Sequence, residues 1–453
     1  MTQLDSGIFK AYDIRGVVGS TLTEHACRHI GQAFATLVRR NGETAVHLSR
    51  DGRLSGPALA AALAQGLRAG GVDVIDLGMN ATPMLYYACA TTPVLSGIQL
   101  TGSHNPPQYN GLKMVLGGNA LFGAQIQELR ELTLSEAYAS GTGAIRQASI
   151  VDDYIGHIVG DVRLARPMHV VVDCGSGVSG AFAPRLLREL GCTVHELYCT
   201  VDGRFPHHHP DPADPHNLQD LIDTVRRTGA ELGLAFDGDG DRLGVVTPDG
   251  QIIWPDRQLM LYAADVLQRH PGAPILYDVK CTARLPAWVR QHGGEPVMGR
   301  TGHSLVKAKM KDIGAPLAGE MSGHIFFKDR WFGSTTPSTA PHACWKSSRA
   351  ATIPAPSSRR CPTRCPRRKS SSTPPKEPIS SCANGCSARA GFRERRRSAP
   401  STACVPTTPT ASVWRGRRTP RRAWCCVSKA TTRRPCSGCK PSSAPRCWRS
   451  TRR

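Results

Sequence analysis

Short apolar runs alternate with amphipathic stretches along the first three quarters of the chain. Ala45 to Ser49, Val72 to Leu77, Val94 to Leu100, His169 to Asp173 and Leu232 to Phe236 are β-rich runs that read as buried strands. Helical segments lie between them. One runs from Thr23 to about Arg39, opened by Thr23 and stopped by Asn41-Gly42. An Ala/Leu-rich helix spans Ser55 to Ala69. Strands alternating with helices predict an α/β layer architecture. A second such unit starts near Ile150 and a third near Gln251.

The pattern stops at Gly333. From Ser334 to Arg453 there is no Leu, Asp, Tyr, Gln or Met, and Arg, Pro, Ser, Thr and Cys dominate. Such a stretch has too little apolar periodicity to build a core, so disorder is the expected state. Charge divides at the same point. The last 120 residues hold 27 Lys+Arg and 2 Asp+Glu, against 30 and 33 in residues 1–333. The net charge of +22 therefore belongs to the tail. So do 11 of the 17 cysteines, which leaves a slightly acidic body with scattered thiols, expected to be cytoplasmic.

The tail itself offers little chemistry. Cys361/Cys365, Cys382/Cys386 and Cys436/Cys439 are spaced like metal ligands, but no His follows His342 and no periodicity surrounds them. A nucleic-acid arm would need a groove motif or interleaved aromatics, and neither is present. Met1 to Phe9 has no basic or apolar leader region, and no apolar run approaches the roughly 18 residues of a membrane helix.

The candidate chemistry sits in the body. Thr101-Gly102-Ser103-His104-Asn105-Pro106-Pro107 follows a strand, at the carboxyl end where open α/β sheets place ligands. Gly102 and Asn105-Pro106 fix the bend, expected to hold Ser103 partly exposed beside a proton carrier, His104. Phe9 to Gly16 reads as an extended segment ending in a turn, with Tyr12 and Arg15 free to face a ligand. Asn110-Gly111-Leu112-Lys113 reads as a hairpin-like turn presenting Lys113.

Strand Leu232 to Phe236 runs into Asp237-Gly238-Asp239-Gly240-Asp241-Arg242. Three carboxylates on a glycine turn can converge on one hard cation such as Mg²⁺. No nearby lysine in the sequence neutralises them, and without a cation they repel. The spacing does not suit an EF-hand. Asp278-Val279-Lys280-Cys281-Thr282, Arg300-Thr301-Gly302-His303-Ser304 and Gly319-Glu320-Met321-Ser322-Gly323-His324 are polar loops after predicted strands. They carry the donors and acceptors that sugar hydroxyls and phosphates require.

Two motifs invite other readings. Gly175-Ser176-Gly177-Val178-Ser179-Gly180 follows a strand, opens a helix to Glu189, and has Glu196 beyond it, as a dinucleotide site would. Any tight strand-to-helix turn favours glycines, however, and a dehydrogenase would leave Ser103 and the aspartates without a role. His207-His208-His209, set among prolines, reads as a structured loop rather than a metal site.

Taken in order, Lys-Ala-Tyr-Asp-Ile-Arg-Gly at Lys10, Thr-Gly-Ser-His-Asn-Pro at Thr101, Asn-Gly-Leu-Lys at Asn110, Asp-Gly-Asp-Gly-Asp-Arg at Asp237, Gly-His-Ser at Gly302 and Gly-Glu-Met-Ser-Gly-His at Gly319 resemble the α-D-phosphohexomutase superfamily, bacterial phosphomannomutase/phosphoglucomutase in particular, over residues 7–333. The resemblance implies successive α/β/α sandwich domains around a central cleft: domain I over 1–148, domain II over 149–250, and an incomplete domain III over 251–333. It implies interconversion of hexose 1-phosphate and hexose 6-phosphate through a phosphoserine and a bisphosphorylated sugar. Ser103 would carry the phosphoryl group. Asp237, Asp239 and Asp241, with the Ser103 phosphate, would hold Mg²⁺. Arg15 and Lys113 would stabilise the transferring phosphate, and His104 would be a further acid/base group. Tyr12, Arg242, Lys280, His303, Glu320, Met321, Ser322, Gly323 and His324 would line the substrate cleft. A hexose 1,6-bisphosphate would serve as activator and intermediate. The partner would be a small phosphosugar, with no nucleic acid or membrane, and the chain a monomer. Met321 points to the mannose/glucose branch; the glucosamine branch usually has Gln there and is the alternative.

The family's fourth domain supplies a phosphate-gripping loop, typically Arg-x-Ser-Asn-Thr, which 334–453 lacks. A frameshift at Gly333/Ser334 accounts for this. Back-translated one base earlier, Cys344 to Ser348 allows Leu-Leu-Glu-Ile-Leu. In the same frame Trp414 to Arg422 allows Ala-Arg-Ala-Ser-Asn-Thr-Thr-Pro, and Ala423 to Ala430 a strand-like apolar run. The chain as written is therefore expected to be poorly soluble and nearly inactive.

Overall fold

The computed structural model describes residues 4–335, and they build three α/β units in sequence. The first contains β1 (Ile14–Val17), α1 (Glu24–Arg40), β2 (Ala45–Arg50), α2 (Gly56–Ala69), β3 (Asp73–Met79), α3 (Thr82–Thr91), β4 (Gly97–Leu100), β5 (Tyr109–Leu116), β6 (Asn119–Ala120), α4 (Ala124–Ser135) and β7 (Ile145–Gln147). Its sheet runs β1-β5-β4-β2-β3-β7, with β6 on β5. The centre, β4-β2-β3, is parallel, and β5 is antiparallel to β4 and β1.

α5 (Val151–Asp161) leads into the second unit: β8 (His169–Asp173), α6 (Ala183–Glu189), β9 (Thr193–Leu197), α7 (Gln219–Thr228), β10 (Leu232–Phe236), β11 (Leu243–Val246) and β12 (Ile252–Ile253), ordered β12-β11-β10-β8-β9. The third has α8 (Pro255–Arg269), β13 (Pro274–Asp278), α9 (Leu285–Gln291), β14 (Glu295–Gly299), α10 (His303–Ile313), β15 (Leu317–Gly319), β16 (Ile325–Phe327) and β17 (Ser334–Thr335), ordered β14-β13-β15-β16-β17.

Local chemistry explains the main elements. Thr23 caps α1, its hydroxyl accepting from the Ala26 amide at 3.1 Å. Apolar positions Ile30, Phe34, Leu37 and Val38 then bury one face. α1 lies very close to α2 because glycines sit at the crossing. A Cβ on Gly66 would stand 2.0 Å from the Arg28 carbonyl, and one on Gly31 2.5 Å from that of Leu63. The glycine turn at Gly175 has positive φ and leads into a short 3₁₀ turn before α6, rather than directly into a long helix.

Asn110 to Lys113 is not a hairpin turn. It lies in the middle of β5, paired with β1 and β4. Asn110 is buried and donates to Ser55 Oγ at 2.9 Å. Gly111 is there for proximity, since a Cβ would meet the Ile14 carbonyl at 2.3 Å. The Asn-Gly pair serves close strand packing, a use that the dipeptide alone does not distinguish from a turn.

The three units share a seam. Trp331 stacks on Tyr87 of α3 with ring centroids 5.7 Å apart and meets Tyr154 of α5 edge-on at 5.8 Å. Such aromatic pairs add about 0.5–1.5 kcal/mol each beyond burial. Ser334 and Thr335 pair with β16, so ladder bonding continues two residues past the change in composition, where disorder was expected. The expectations for 336–453, including disorder, the cysteine pairs and the shifted reading frame, lie outside the described residues. Among the described residues no helix is long and apolar enough to cross a membrane.

Candidate active site

The loops that bear chemistry leave the carboxyl ends of parallel strands: Arg50–Arg53 after β2, Thr82 after β3, Ser103 after β4, Asp237 after β10, Asp278 after β13, Arg300 after β14 and Glu320 after β15. Three sheets therefore aim these ends at one place.

Ser103 is buried rather than partly exposed, at 2%. It also has φ of 49°, in the left-handed region unfavourable to a residue with a Cβ. The conformation is imposed by its surroundings. The Ser103 amide donates to Thr101 Oγ1 at 2.7 Å, and its carbonyl accepts from Arg53 at 2.8 Å. Its hydroxyl donates to Asp237 Oδ2 at 3.0 Å and lies 3.2 Å from His104 Nδ1. The serine of domain I is thus in hydrogen-bond contact with the aspartate turn of domain II.

Asp237, Asp239 and Asp241 are buried, and one oxygen of each lies within 4.8 Å of the others. A lysine does neutralise part of this charge, contrary to the reading of the local sequence. Lys113, distant in sequence but adjacent in space, donates to Asp239 Oδ2 and Asp241 Oδ2, both at 2.6 Å. Burial opposes the Lys113 charge, but the two carboxylates outweigh it and raise its pKa. Burial and the neighbouring aspartates push Asp237 well above the ordinary carboxylate range. Against burial, Lys113 holds Asp241 well below that range. Arg242 Nε stands 4.0 Å from Asp237, too far to hydrogen-bond.

These residues fit a hard divalent cation. Lys113 is a single positive charge against three carboxylates, and Asp239 Oδ1 is buried without a hydrogen-bond partner. The oxygen-only donor set is the one Mg²⁺ takes.

Domain III closes the other side. His324 Nε2 is 3.2 Å from Asp241, and its Nδ1 is 3.1 Å from Glu320 and 3.0 Å from Ser322 Oγ. Although burial opposes it, Asp241 raises the His324 pKa. Glu320 accepts from the Gly302 amide at 2.5 Å, which fixes the neighbouring loop. His303 packs edge-on against Tyr12 at 5.1 Å and lies 5.8 Å from His324. Burial, then Lys307, drives His303 well below the usual imidazole range. Gly323 passes close to Arg242, where a Cβ would meet the arginine side chain at 3.2 Å. The Met321 amide donates to Asp278 Oδ1 at 3.3 Å, and Thr301 Oγ1 to Asp278 Oδ2 at 2.8 Å.

Arg15 on β1 bonds Asn105 of the serine loop at 2.9 Å and Asp13 at 2.7 Å. Burial first, then Arg242 and Arg15, push the His104 pKa down to about 2, so the ring is neutral. Lys280 is not brought in: its side chain is exposed and makes no hydrogen bond or ion pair among the described residues.

Sequence reasoning missed the residues beneath the serine. Arg53 is fully buried and donates to the carbonyls of Ser103 (2.8 Å), Asn105 (2.6 Å), Pro106 (2.7 Å) and Tyr109 (2.9 Å). Asp51 pairs with Arg53 at 3.2 Å and accepts from Thr101 Oγ1 at 2.7 Å. The Thr82 hydroxyl donates to Asp239. The signal was strand order. β2 neighbours β4, so the loops that follow them must touch. The histidine run is a structured loop, as expected: His207 stacks on Tyr198 at 4.0 Å and His208 pairs with Asp173 at 3.0 Å.

Comparison with known proteins agrees with this geometry. Models of phosphoglucomutase/phosphomannomutase α/β/α domains I, II and III match residues 6–139, 152–250 and 254–359. The phosphomannomutase/phosphoglucomutase of Pseudomonas aeruginosa is 57% identical over 330 residues, 73% of this chain and 71% of that protein. The phosphoglucomutase of Neisseria meningitidis is 54% identical over 335 residues, 74% of this chain and 73% of the relative. A crystal structure of a phosphoglucomutase/phosphomannomutase family protein from Burkholderia thailandensis superposes with a TM-score of 0.75 at 55% identity, covering 77% of this chain and 78% of that one. With its serine loop, acidic turn and histidine-glutamate loop joined across three α/β units, the chain belongs to the phosphoglucomutase/phosphomannomutase family.

Proposed function

We propose that residues 1–333 carry the machinery of a phosphohexomutase that interconverts hexose 1-phosphate and hexose 6-phosphate, of mannose or glucose, with Ser103 as the phosphoryl carrier. The observation that carries this reading is the hydroxyl of a strained, buried serine 3.0 Å from the acidic turn of the next domain. Mg²⁺ held by Asp237, Asp239 and Asp241 would draw charge from the phosphoryl oxygens. Asp237 accepts the serine proton's hydrogen bond and orients Oγ toward the cleft. Lys113 and Arg15 supply fixed positive charge where the transferring phosphoryl group develops negative charge, so the work is positioning and electrostatics. His104 is neutral and sits within reach of Oγ as an acid/base group. Glu320, Ser322 and His324 face the sugar with acceptors and donors; His303, Tyr12, Arg242, Met321 and Gly323 shape the wall, and Lys280 would reach substrate from the rim.

A hexose 1,6-bisphosphate would phosphorylate Ser103 and recur as the intermediate. The phosphoglucosamine reading is not favoured, since the similar proteins of known activity are named for mannose and glucose. We further propose cytoplasmic action on free phosphosugars as a monomer, without nucleic acid.

Residues 334–453 do not supply the expected phosphate-gripping loop, and a shifted reading frame would allow one. Distal phosphate contacts contribute binding energy to turnover, so the chain as written would be nearly inactive. The third family match runs on to residue 359, so source DNA should be sequenced across codons 320–360. The functional test is conversion of glucose 1-phosphate to glucose 6-phosphate with catalytic bisphosphate, using frame-restored protein. Turnover should fall by several orders of magnitude in Ser103→Ala. Near-normal turnover in that variant would refute the assignment.

A further inference from the structure

Away from the cleft, on the outer face of domain I, the first turns of α1 carry His25 and His29 four residues apart on one side of the helix. Their Nε2 atoms lie 3.2 Å from each other, with ring centroids 4.3 Å apart. Two nitrogens that share a tetrahedral ion at about 2.0–2.1 Å each are separated by about 3.3 Å. The pair already has that spacing.

The tautomer of His29 is set from behind. Its Nδ1 is 2.8 Å from the Tyr138 hydroxyl, and that hydroxyl donates its one proton to the Thr133 carbonyl at 2.9 Å. The tyrosine oxygen is therefore the acceptor, and His29 Nδ1 carries the proton. Nε2 is left with a lone pair aimed at His25. A ligating histidine is usually prepared in this way, with the second nitrogen donating to a fixed oxygen. His25 is exposed, His29 is half-buried, and the Glu136 carboxylate is 4.0 Å from His29 Nδ1 at the solvent edge.

We propose that His25 and His29 form a surface site for a borderline divalent transition-metal ion, of the Zn²⁺, Ni²⁺ or Cu²⁺ class, with Tyr138 as the residue that positions His29. On binding, the proton on His25 Nε2 moves to Nδ1 through solvent and both lone pairs turn to the metal; water completes the shell. Imidazole donors suit these ions, whereas the carboxylate turn of the cleft suits Mg²⁺, so the two sites divide by ligand hardness.

The test is calorimetric titration of the full chain with Ni²⁺ alone at pH 7.5, for wild type, His25→Asn, His29→Ala and Tyr138→Phe. The 17 cysteines, the histidine run and the acidic turn are identical in all four proteins and cancel in the difference. Wild type should take up one more equivalent than His25→Asn or His29→Ala. Tyr138→Phe should keep that equivalent but bind it about tenfold more weakly. His25 is exposed, so its substitution leaves the packing of α1 intact, and circular dichroism checks this. Equal stoichiometry in wild type and His25→Asn would overturn the site. Unchanged affinity in Tyr138→Phe would overturn the role given to the tyrosine.

Discussion

Replacing Arg53 by Met keeps the aliphatic stem and removes the guanidinium that grips the serine loop. The cost can be worked from its contacts. Asp51 is buried, and burial already raises its pKa with Arg53 alongside. Stripping a buried ion pair of one partner costs about 3–5 kcal/mol. The Ser103 carbonyl loses a fully buried bond, which adds about 1–3 kcal/mol. The carbonyls of Asn105, Pro106 and Tyr109 are only partly buried, and water can replace their donor. The sum is about 4–8 kcal/mol, comparable to the whole stability of a typical domain. A global midpoint of a multidomain chain does not isolate one loop, so the readout for this variant should be local. Amide exchange of Ser103 and Asn105 should rise to the rate of an open loop in Arg53→Met, with the β14 amides of the third unit unaffected. Arg53→Lys, with three donors in place of five, should fall between. Wild-type protection of Ser103 in Arg53→Met would refute the claim that this arginine holds the loop.

Other outcomes follow from the same contacts. Ser103→Gly should be more stable than Ser103→Ala by about 1 kcal/mol, because only glycine adopts φ of 49° without strain; comparative urea midpoints measure it. Lys113→Met leaves Asp239 and Asp241 without their ammonium, so its melting temperature should be low without metal and rise more steeply with added Mg²⁺ than that of wild type; a smaller rise would contradict the cation-deficit argument. His47 is held down to about 4 by burial and then Arg146. The unfolded chain therefore takes up a proton first, and stability should fall as pH drops from about 6.5 to 4, levelling below that. His47→Gln should flatten this slope in denaturation midpoints measured across that window.

Much of the fold was legible because its strands are short apolar runs set between capped helices. Leu232 to Phe236 is a strand with the boundaries its sequence predicts, and Thr23 caps α1 as read. Of the site, Ser103, the three aspartates and the Glu320–His324 loop were visible as local motifs. What local sequence does not encode is what crosses between elements. Lys113 is remote from Asp239 in the chain yet sits on it, and Asn110-Gly111 looks like a turn but is packed mid-strand. Arg53 lies in none of the motifs that local sequence singles out; its four carbonyl contacts depend on β2 lying beside β4. Ser103 was expected at the surface because turns usually are, but here domain II covers the turn: a Cβ on Gly238 would lie 2.4 Å from the Ser103 carbonyl.

The most direct test of the central claim is whether Ser103 accepts a phosphoryl group. The frame-restored protein is incubated with glucose 1,6-bisphosphate and Mg²⁺, and its peptides are mapped by mass spectrometry. One phosphoryl group should be found on Ser103, absent from Ser103→Ala and from a sample stripped of divalent metal. Phosphoryl transfer to another residue, or equal labelling of Ser103→Ala, would contradict the account.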